Sequence, residues 1–283
     1  DRYTALGSEN PAKAAGLRLG DWIVSAGGRP VRSNDDLTAA IQAADGASLT
    51  VVYRRDGVQH TAALTPAQDE KGRYKAGVWV RDSGAGIGTM SFVDAQHGTF
   101  AGLGHSISDT DTGTELTLLS GEIVPVTITG CIRGAAGSPG ELRGEFSAKA
   151  VGQVLANDAA GVYGSYTGGT FGQAVPVANV QEVTPGEAEL WTTVQGTTAQ
   201  PYKVRIERVT MTGSDPNRNL LIKVTDERLL EKTGGIVQGM SGSPIVQNGQ
   251  LAAVLTHVLV NDPAKGYAIF AAKMLEKADA VIK

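Results

Sequence analysis

Cysteine is almost absent from this sequence, because Cys131 is the only one among 283 residues. One cysteine cannot form an intrachain disulfide or a cysteine-ligated metal site. Cys131 lies in the strand-like run TITGCIRG, which favours a structural thiol over a nucleophile. The sequence predicts no bound metal and no other cofactor.

An excess of charge of one sign and long apolar runs are also lacking. The chain has 25 basic and 29 acidic residues, which give a net charge of −4. It shows no basic stripe, so we do not expect nucleic acid as a partner. No apolar run approaches the roughly 20 residues that span a bilayer. The sequence starts at Asp1 without a signal-like segment, and we expect that processing or trimming removed any membrane anchor upstream.

Aromatic residues are few, at 5%, whereas glycine occurs 37 times. With many Val- and Thr-rich segments, this composition is typical of a turn-rich β protein. From about residue 75 onwards, short apolar runs alternate with turns, which predicts a sandwich or a barrel. The runs are AGVWV, LTLLS, EIVPVTIT, VRIERVTMT, LLIKV, SPIVQ and LAAVLTHVLV. A predicted helix over 271–283 ends the chain, with five residues facing inward: Met274, Leu275, Ala278, Val281 and Ile282.

Residues 1–70 form a separate predicted domain of mixed helix and strand, and residues 75–283 form the second domain. The polar stretch Pro66–Tyr74 is interpreted as the connection between them. Hydrophobic periodicity, capping residues and turn residues define the elements of the first domain. They are a helix over Pro11–Gly16, a strand over Trp22–Ser25, a turn at Gly27-Gly28, a helix over Asp35–Ala44 capped by Asn34, and a hairpin of 49–53 and 59–64 around Asp56-Gly57.

This element order resembles a PDZ domain of the bacterial protease-associated kind. The resemblance depends on PAKAAGLRLGDWIVSAGGRPV, on the helix that follows it and on RDG in the hairpin. PDZ domains bind a peptide by adding it as a strand to a sheet edge. The strand and loop that hold the ligand carboxylate should precede PAKAAG, and residues 1–10 are too few for both. We therefore expect a truncated N-terminal strand.

The sharpest chemical motif is GMSGSP at 239–244. A serine hydroxyl needs a base to take its proton and N–H donors to hold the developing oxyanion. The glycines allow the N–H groups of Gly239 and Ser241 to point at one position, so Ser241 is the predicted nucleophile. The motif resembles the GDSGGP loop of chymotrypsin-like proteases, with Met240 and Ser243 in place of Asp and Gly.

The base for Ser241 must come from one of four histidines. His105, in FAGLGHSISD, has small residues before it and a turn after it, which predicts an accessible ring. His257, in the apolar strand AVLTHVLV, is interpreted as a buried structural histidine near the site. His60 lies in the hairpin of the first domain and His97 in a polar turn.

A carboxylate is expected to orient the imidazole of the base and to stabilise its protonated form. Spacing alone does not select one of the acidic residues. The candidates are Asp109, Asp111, Asp226 and Asp262.

Five sequence blocks distinguish the chain further. They are RDSGAGIGTMSF at 81–92, GTFAGLGHSISDTDTG at 98–113, GEIVPVTIT at 121–129, VTDERLLEKTGGIVQGMSGSPIVQNG at 224–249 and THVLVNDPAKGY at 256–267. They combine GLGHSISD with GGIVQGMSGSP behind a PDZ-like domain. On these blocks the chain, from about Pro11 to Ile269, resembles the SpoIVB peptidases of spore-forming bacteria (stage IV sporulation protein B).

The resemblance implies a chymotrypsin-like double β-barrel and a triad of His105, Asp226 and Ser241. Asp226 lies only 15 residues before Ser241, far closer than in digestive relatives. It either reaches His105 from another direction or is needed for another reason, such as bracing the oxyanion loop. A competing local hypothesis makes Asp226 the N-cap of a helical turn over 227–230. Met240 cannot pair with a new N-terminus, which excludes the activation route of the digestive zymogens.

The resemblance also implies a role in endospore formation. Family members are exported from the forespore into the space between its two membranes, where they cleave themselves and a regulatory membrane protein. The second cut releases an intramembrane metalloprotease that activates sigma-K. The PDZ domain is implied to govern self-recognition and substrate docking.

Two alternative functions are kept beside this hypothesis. A general envelope protease of the HtrA type usually carries its PDZ domain after the protease domain, whereas here the PDZ-like domain comes first. The other alternative is a PDZ scaffold with a dead protease domain. The presence of His105, Asp226 and Ser241 argues against that scaffold.

Overall fold

The computed structural model describes residues 10–109, 111–118, 120–169, 174–212 and 215–281. The chain divides into two compact units, residues 1–85 and residues 86–283. The predicted domains, 1–70 and 75–283, place this division earlier along the chain. The predicted truncated N-terminal strand lies outside the described residues.

Local capping explains the two helices described in the first unit. Helix α1, Pro11–Ala14, begins after Asn10, which caps it through its side chain. Helix α2, Asn34–Ala43, is capped by Ser33 rather than by the predicted Asn34, because the Ser33 hydroxyl accepts a hydrogen bond from a backbone N–H of the first turn. The apolar face of α2 predicted by the helical period comprises Leu37, Ala40, Ile41 and Ala44; the first three are buried in the core of the unit, and Ala44 is partly buried against it.

Four strands of the first unit form one antiparallel sheet in the order β2-β1-β3-β4. The predicted hairpin turn is confirmed at Asp56-Gly57, where both residues have positive φ angles of 52° and 77°. Tight hairpin turns with two positive φ angles favour Asp-Gly. The strands are β1, Trp22–Ala26; β2, Arg29–Pro30; β3, Leu49–Arg55; and β4, Val58–Leu64.

The stretch Pro66–Tyr74, predicted as a connection, folds instead as part of the first unit. It contributes to a small hairpin of β5, Ala67–Gln68, and β6, Tyr74–Lys75. Tyr74 packs against the core of the unit and exchanges two hydrogen bonds with Gln42 of α2. This contact explains why the boundary between the units lies further along the chain than predicted.

Two runs predicted as strands do not form strands. The run AGVWV, residues 76–80, is fixed by a hydrogen bond of 2.8 Å from Ala12 N to Ala76 O, but it pairs with no strand among the described residues. The described residues of LTLLS are likewise outside any strand, and Leu119 is not among the described residues. Apolar composition predicts burial, whereas a strand also needs a partner for its backbone hydrogen bonds.

The first half of the second unit is built on a five-stranded antiparallel sheet in the order β7-β8-β13-β12-β9. Strands β10 and β11 form a separate two-stranded sheet. The strands are β7, Met90–Asp94; β8, Thr99–Gly102; β9, Glu122–Ile123; β10, Val126–Ile132; β11, Glu141–Phe146; β12, Gly152–Asp158; and β13, Gly161–Tyr166. Strand β8 leads directly into the segment that carries His105.

The second half closes into a six-stranded antiparallel barrel in the order β14-β15-β16-β19-β18-β17. Closure pairs every strand edge and encloses a buried apolar core that includes Leu190, Val204 and Leu255. Helix α3, Glu227–Thr233, and the loop with the GMSGSP motif lie between β16 and β17. The strands are β14, Gly186–Thr192; β15, Gln200–Val209; β16, Leu220–Val224; β17, Pro244–Gln247; β18, Gln250–Leu259; and β19, Asp262–Phe270.

The predicted C-terminal helix is present as α4, Ala271–Val281. Met274 and Ala278 are buried as predicted, whereas Leu275 is only partly buried and Ile282 lies outside the described residues. No helix in the described ranges is long and apolar enough to cross a membrane. The predicted fold class is confirmed: the chain is mainly β, with a small mixed first unit, a barrel and a C-terminal helix.

Candidate active site

The loop of Ser241 has a backbone that only glycine allows at its two turns. Gly239 and Gly242 both have a φ angle of +96°. A Cβ atom at Gly242 would lie 1.9 Å from Thr89 O, so a side chain there is sterically excluded. Thr89 N in turn donates a hydrogen bond of 2.8 Å to Ser241 O. The glycines of the motif thus allow the loop to pack directly against the residues just before β7.

Two N–H groups of this loop have no hydrogen-bond acceptor among the described residues. Met240 N donates to Val237 O at 3.2 Å, and Gly242 N donates to Leu255 O at 2.8 Å. Within the described part of the chain, the N–H groups of Gly239 and Ser241 donate to no protein acceptor. These are the two donors that the sequence motif predicts for the oxyanion.

The neighbours of Ser241 in the motif have structural roles. The Met240 side chain is fully buried in the core of the barrel, where an aspartate would have no place. Ser243 is also fully buried, and its hydroxyl has no hydrogen-bond partner in the described residues. Of the two serines, Ser241 is therefore the one that a substrate can reach.

The Ser241 hydroxyl donates a hydrogen bond of 2.8 Å to the backbone oxygen of Thr256 in β18. Thr256 is an extra residue in that strand, because the pairing of β18 with β19 shifts register between Leu255 and His257. Such a β-bulge leaves a backbone group unpaired and re-aims neighbouring side chains. The bulge therefore supplies the acceptor that holds the Ser241 hydroxyl.

His105 follows a sharp backward turn of the chain after β8. Leu103 and Gly104 have positive φ angles of 66° and 69°. Leucine rarely adopts this conformation, and such strain is concentrated at functional sites. A Cβ atom at Gly104 would lie 2.8 Å from Thr256 Cγ2, so the chain packs directly on Thr256 at this point. His105 and Ser241 are thus both fixed against the same residue of β18.

The His105 ring has the tautomer that a general base requires. Its Nδ1 lies 2.8 Å from Ser106 O, so Nδ1 carries the proton and donates it to the carbonyl. Nε2 then has a free lone pair. Burial lowers the pKa of His105 below its usual value, and the hydrogen bond to Ser106 opposes this shift. The His105 ring is consequently neutral at neutral pH and has a lone pair that can accept a proton.

His257 lies beside His105 rather than in an unrelated part of the core. The two ring centroids are 4.9 Å apart, with 35° between the ring planes. Burial, followed by the charges of His105 and Arg218, lowers the pKa of His257 to about 4, while Asp215 acts in the opposite direction. The sequence interpretation of His257 as structural and near the site did not foresee this ring contact.

Asp226 does not contact His105. It is the N-cap of α3, as the local hypothesis predicted, and its carboxylate accepts a hydrogen bond of 3.1 Å from Lys203 N. The other three bonds come from Arg228, through its N (3.0 Å), Nε (3.0 Å) and Nη2 (2.8 Å). The Arg228 side chain is the main cause that lowers the pKa of Asp226 to about 2. The predicted His105–Asp226 hydrogen bond is absent from the contacts of both described residues.

The other three carboxylate candidates have local positions. Asp109 accepts hydrogen bonds of 3.0 and 2.9 Å from Asp111 N and Thr112 N, so it organises the turn after His105. Asp111 is exposed in that turn, and Asp262 is exposed at the start of β19. In place of a carboxylate, the Ser106 backbone oxygen orients the His105 ring in this structure.

Asn157 is a residue that the sequence interpretation missed. Its side chain accepts from Ile107 N at 2.7 Å and donates to Ile107 O at 3.0 Å and Leu116 O at 2.9 Å. These bonds anchor the segment that follows His105 to β12. No local sequence signal marks Asn157, because its partners are about 50 and 41 residues away.

One cluster in the described residues has the donor types of a metal site. Ligand atoms of Asp94, His97 and Asp279 lie within 4.8 Å of one another. Asp94 already accepts hydrogen bonds from Gln96 N and from the His97 ring, which close the turn between β7 and β8. The hydrogen bonds of the β7–β8 turn explain the positions of Asp94 and His97, and Asp279 belongs to α4, which packs beside that turn.

The first unit has a groove beside α2. It encloses about 330 Å³ between the α2 side chains Leu37 and Ile41 and the extended segment 74–80. In that segment Trp79 is 92% exposed, and Val78 and Val80 are about 40% exposed. PDZ domains bind an extended peptide in a groove of this kind, beside a helix.

Comparison with known proteins gives the chain a family. The family model "SpoIVB peptidase S55" matches residues 72–275, and the "PDZ domain" model matches residues 2–55. A search of curated proteins found no match. The family match covers well over half of the chain, including His105, Asp226 and Ser241.

Solved structures give weaker similarities. The active form of the Rv3671c protease from M. tuberculosis has a TM-score of 0.36 and 19% identity over 52% of this chain. The chain spans 65% of that protein's chain. The HtrA-type protease AlgW with a decapeptide has a TM-score of 0.35 and 14% identity over 65% of this chain and 62% of its own. By the family match, the chain belongs to the SpoIVB peptidase S55 family of serine peptidases and carries a PDZ domain ahead of its peptidase domain.

Proposed function

We propose that this chain is a serine endopeptidase in which Ser241 is the nucleophile and His105 the general base. The observation that supports it most is the convergence of both residues on Thr256. The Ser241 hydroxyl is bonded to the Thr256 oxygen, and the backbone beside His105 packs on the Thr256 side chain. The free N–H groups of Gly239 and Ser241 add the donors that acyl transfer needs.

The reaction follows from these positions. The Ser241 hydroxyl turns from Thr256 O towards Nε2 of His105, which takes its proton as Oγ attacks the peptide carbonyl carbon. The negative oxygen of the tetrahedral intermediate is held by the N–H groups of Gly239 and Ser241. His105 then gives its proton to the leaving amine, and water hydrolyses the acyl-enzyme in a second cycle of the same steps.

For Asp226 we propose a bracing role, the second of the two roles kept open on sequence grounds. Its carboxylate ties the start of α3 to β15 through Lys203 N and the Arg228 side chain. Helix α3 is followed at once by the turn at Gly234-Gly235, which leads into the loop of Ser241. Support for the catalytic loop is therefore what the contacts of Asp226 provide.

Asp226→Asn is expected to lower stability by about 1–3 kcal/mol, because both carboxylate oxygens accept from N–H donors and an amide NH2 would face donors in their place. The pKa of Asp226 is lowered to about 2, so its stabilising effect is full above about pH 4 and is lost as pH falls towards 2. Thermal melts should show the difference between wild type and variant shrinking over that range. The temperature at which the variant loses activity should fall by the same amount as its melting temperature.

A triad role for Asp226 makes a different prediction. Asp226→Asn would then keep the wild-type melting temperature and lose activity by ~10⁴-fold through the wrong histidine tautomer. Peptide hydrolysis measured well below the melting temperature of the variant distinguishes the two roles. A loss of that size at unchanged stability would contradict bracing.

In the cell we propose the sporulation role that family membership suggests. The protein is exported from the forespore, cleaves other copies of itself and cuts a regulatory membrane protein that restrains an intramembrane metalloprotease, which leads to sigma-K activation. Self-cleavage is tested by using the inactive Ser241→Ala chain as substrate for the wild-type chain. Discrete fragments of the inactive chain are expected, and an intact substrate after long incubation would contradict self-recognition.

The PDZ unit is proposed to dock protein substrates through the groove beside α2. Deleting residues 1–85 should leave a folded peptidase unit that cuts a small generic peptide about as well as the full chain, but a protein substrate less efficiently. The shorter deletion of residues 1–66, which leaves Tyr74 and Ala76 without their core, should be less soluble. Circular dichroism and paired kinetics check this, and an unfolded 86–283 unit would contradict independent domains.

A further inference from the structure

His257 makes a ring contact with His105 that the reaction steps above do not use. The ring centroids are 4.9 Å apart, and the ring planes are tilted by 35°. Aromatic rings at this separation attract each other and restrict each other's orientation. His257 therefore limits the directions in which the His105 imidazole can point.

The bulge at Thr256 explains how a strand residue comes to lie there. Side chains of a regular strand alternate between its two faces. The extra residue at Thr256 breaks this alternation between Leu255 and His257. Thr256 is itself fixed, because its hydroxyl donates to Asn217 O at 2.7 Å. The bulge thus holds the Ser241 hydroxyl through Thr256 O and presents the next side chain, His257, to the base.

Core packing alone does not account for a histidine at this position. His257 Nδ1 is buried and has no hydrogen-bond partner in the described residues. A buried polar atom without a partner is unfavourable, and an apolar side chain of similar shape would avoid that loss. A histidine at position 257 therefore lowers the stability of the fold, and it lies next to the proposed base.

We propose that His257 is a positioning residue for His105, and that its uncharged ring packs on the imidazole and keeps Nε2 directed towards Ser241. This inference rests on the proposed serine peptidase function. Two contacts then define the base: Ser106 O fixes Nδ1 of His105 in the ring plane, and His257 supports the ring from beside it. His257 itself takes no proton from the nucleophile.

Burial, together with the positive charges nearby, keeps the His257 ring neutral while His105 is protonated in the reaction. Arg218 and His105 both disfavour a positive charge on His257, and Asp215 favours it. The cross-strand neighbour is Tyr267, and the Arg218 guanidinium lies 5.0 Å from the centre of its ring. Because burial dominates these effects, His257 is uncharged at the pH values at which the peptidase works.

The test compares His257→Ala with His257→Phe on a small generic peptide. His257→Ala should lower kcat by on the order of 10²-fold, as a misplaced catalytic group does, with a much smaller change in KM. His257→Phe, which restores an aromatic ring, should recover about tenfold or more of that loss. His60→Ala is the control, since His60 is an exposed histidine in the first unit whose ring stacks on Tyr53.

The pH profile provides a readout that a purely structural role would not change. In His257→Ala the His105 ring becomes more hydrated, so its lowered pKa rises and the acid limb of kcat/KM moves to higher pH. The limb should stay in place in His257→Phe. If His257→Ala fails to fold, the Phe variant and its pH profile carry the test.

Two outcomes would overturn the inference. Wild-type kcat and an unmoved acid limb in His257→Ala would show that the ring contact does not matter. Equal losses in the Ala and Phe variants, both folded, would show that a ring nitrogen is needed instead. Labelling of the wild type by a serine-directed phosphonate distinguishes failure of the His257 proposal from failure of the proposed function. A wild type that is not labelled would contradict the serine peptidase function itself.

Discussion

Ser241→Ala is expected to abolish peptide hydrolysis while the protein remains folded. In another serine protease, loss of the nucleophile costs kcat about 10⁶-fold, and we expect a loss of that order here. Among the described residues the hydroxyl makes one hydrogen bond, to Thr256 O, and Ser241 is half-buried, so removal of the hydroxyl should move the melting temperature little. Hydrolysis of a generic peptide and a thermal melt measure the two effects.

Ser243→Ala is the matched control two residues along the same loop. The Ser243 hydroxyl is fully buried without a partner, so its loss should leave activity unchanged and stability equal or slightly higher. The opposite pattern, with activity lost in Ser243→Ala and kept in Ser241→Ala, would contradict the assignment of the nucleophile.

His105→Ala should cause a loss similar in size to that of Ser241→Ala, because the hydroxyl is a poor nucleophile without a base. The two residues act as one unit, so the double variant should be no slower than either single variant. Residual rates of all three variants, measured with the same peptide, check this non-additivity. Multiplying losses in the double variant would mean that the two residues do not act together.

A large residual activity in His105→Ala would point to His257 as the base. His257 lies against His105 and is also near Ser241, since it directly follows the Thr256 residue that holds the hydroxyl. Because the two rings lie together, His105→Ala is more informative than Ser241→Ala.

The helices and hairpin of the first unit could be predicted because their signals are local. Caps, Asp-Gly turns and a 3.6-residue period act over a few neighbouring residues. The segment Pro66–Tyr74 was misjudged because its polar composition hides one residue, Tyr74, that packs into the core. AGVWV was misjudged because a strand depends on a partner elsewhere in the chain.

In the candidate site, too, the features that could be predicted are those with local sequence signals. Ser241 and the glycines of its loop form a contiguous motif, and the N-cap position of Asp226 follows from its local sequence. The bulge at Thr256 and the ring contact of His257 could not be predicted, because both depend on how β18 and β19 register. The bonds from Asn157 to the segment after His105 are equally non-local.

The most direct test of the central claim is covalent labelling with a serine-directed fluorophosphonate, followed by peptide mapping. The probe reacts only with a serine whose hydroxyl is activated by a base. We predict one adduct, on Ser241, that is absent from Ser241→Ala and strongly reduced in His105→Ala, while His60→Ala labels like the wild type. An adduct on another serine, or labelling of His105→Ala at the wild-type rate, would contradict a peptidase built on Ser241 and His105.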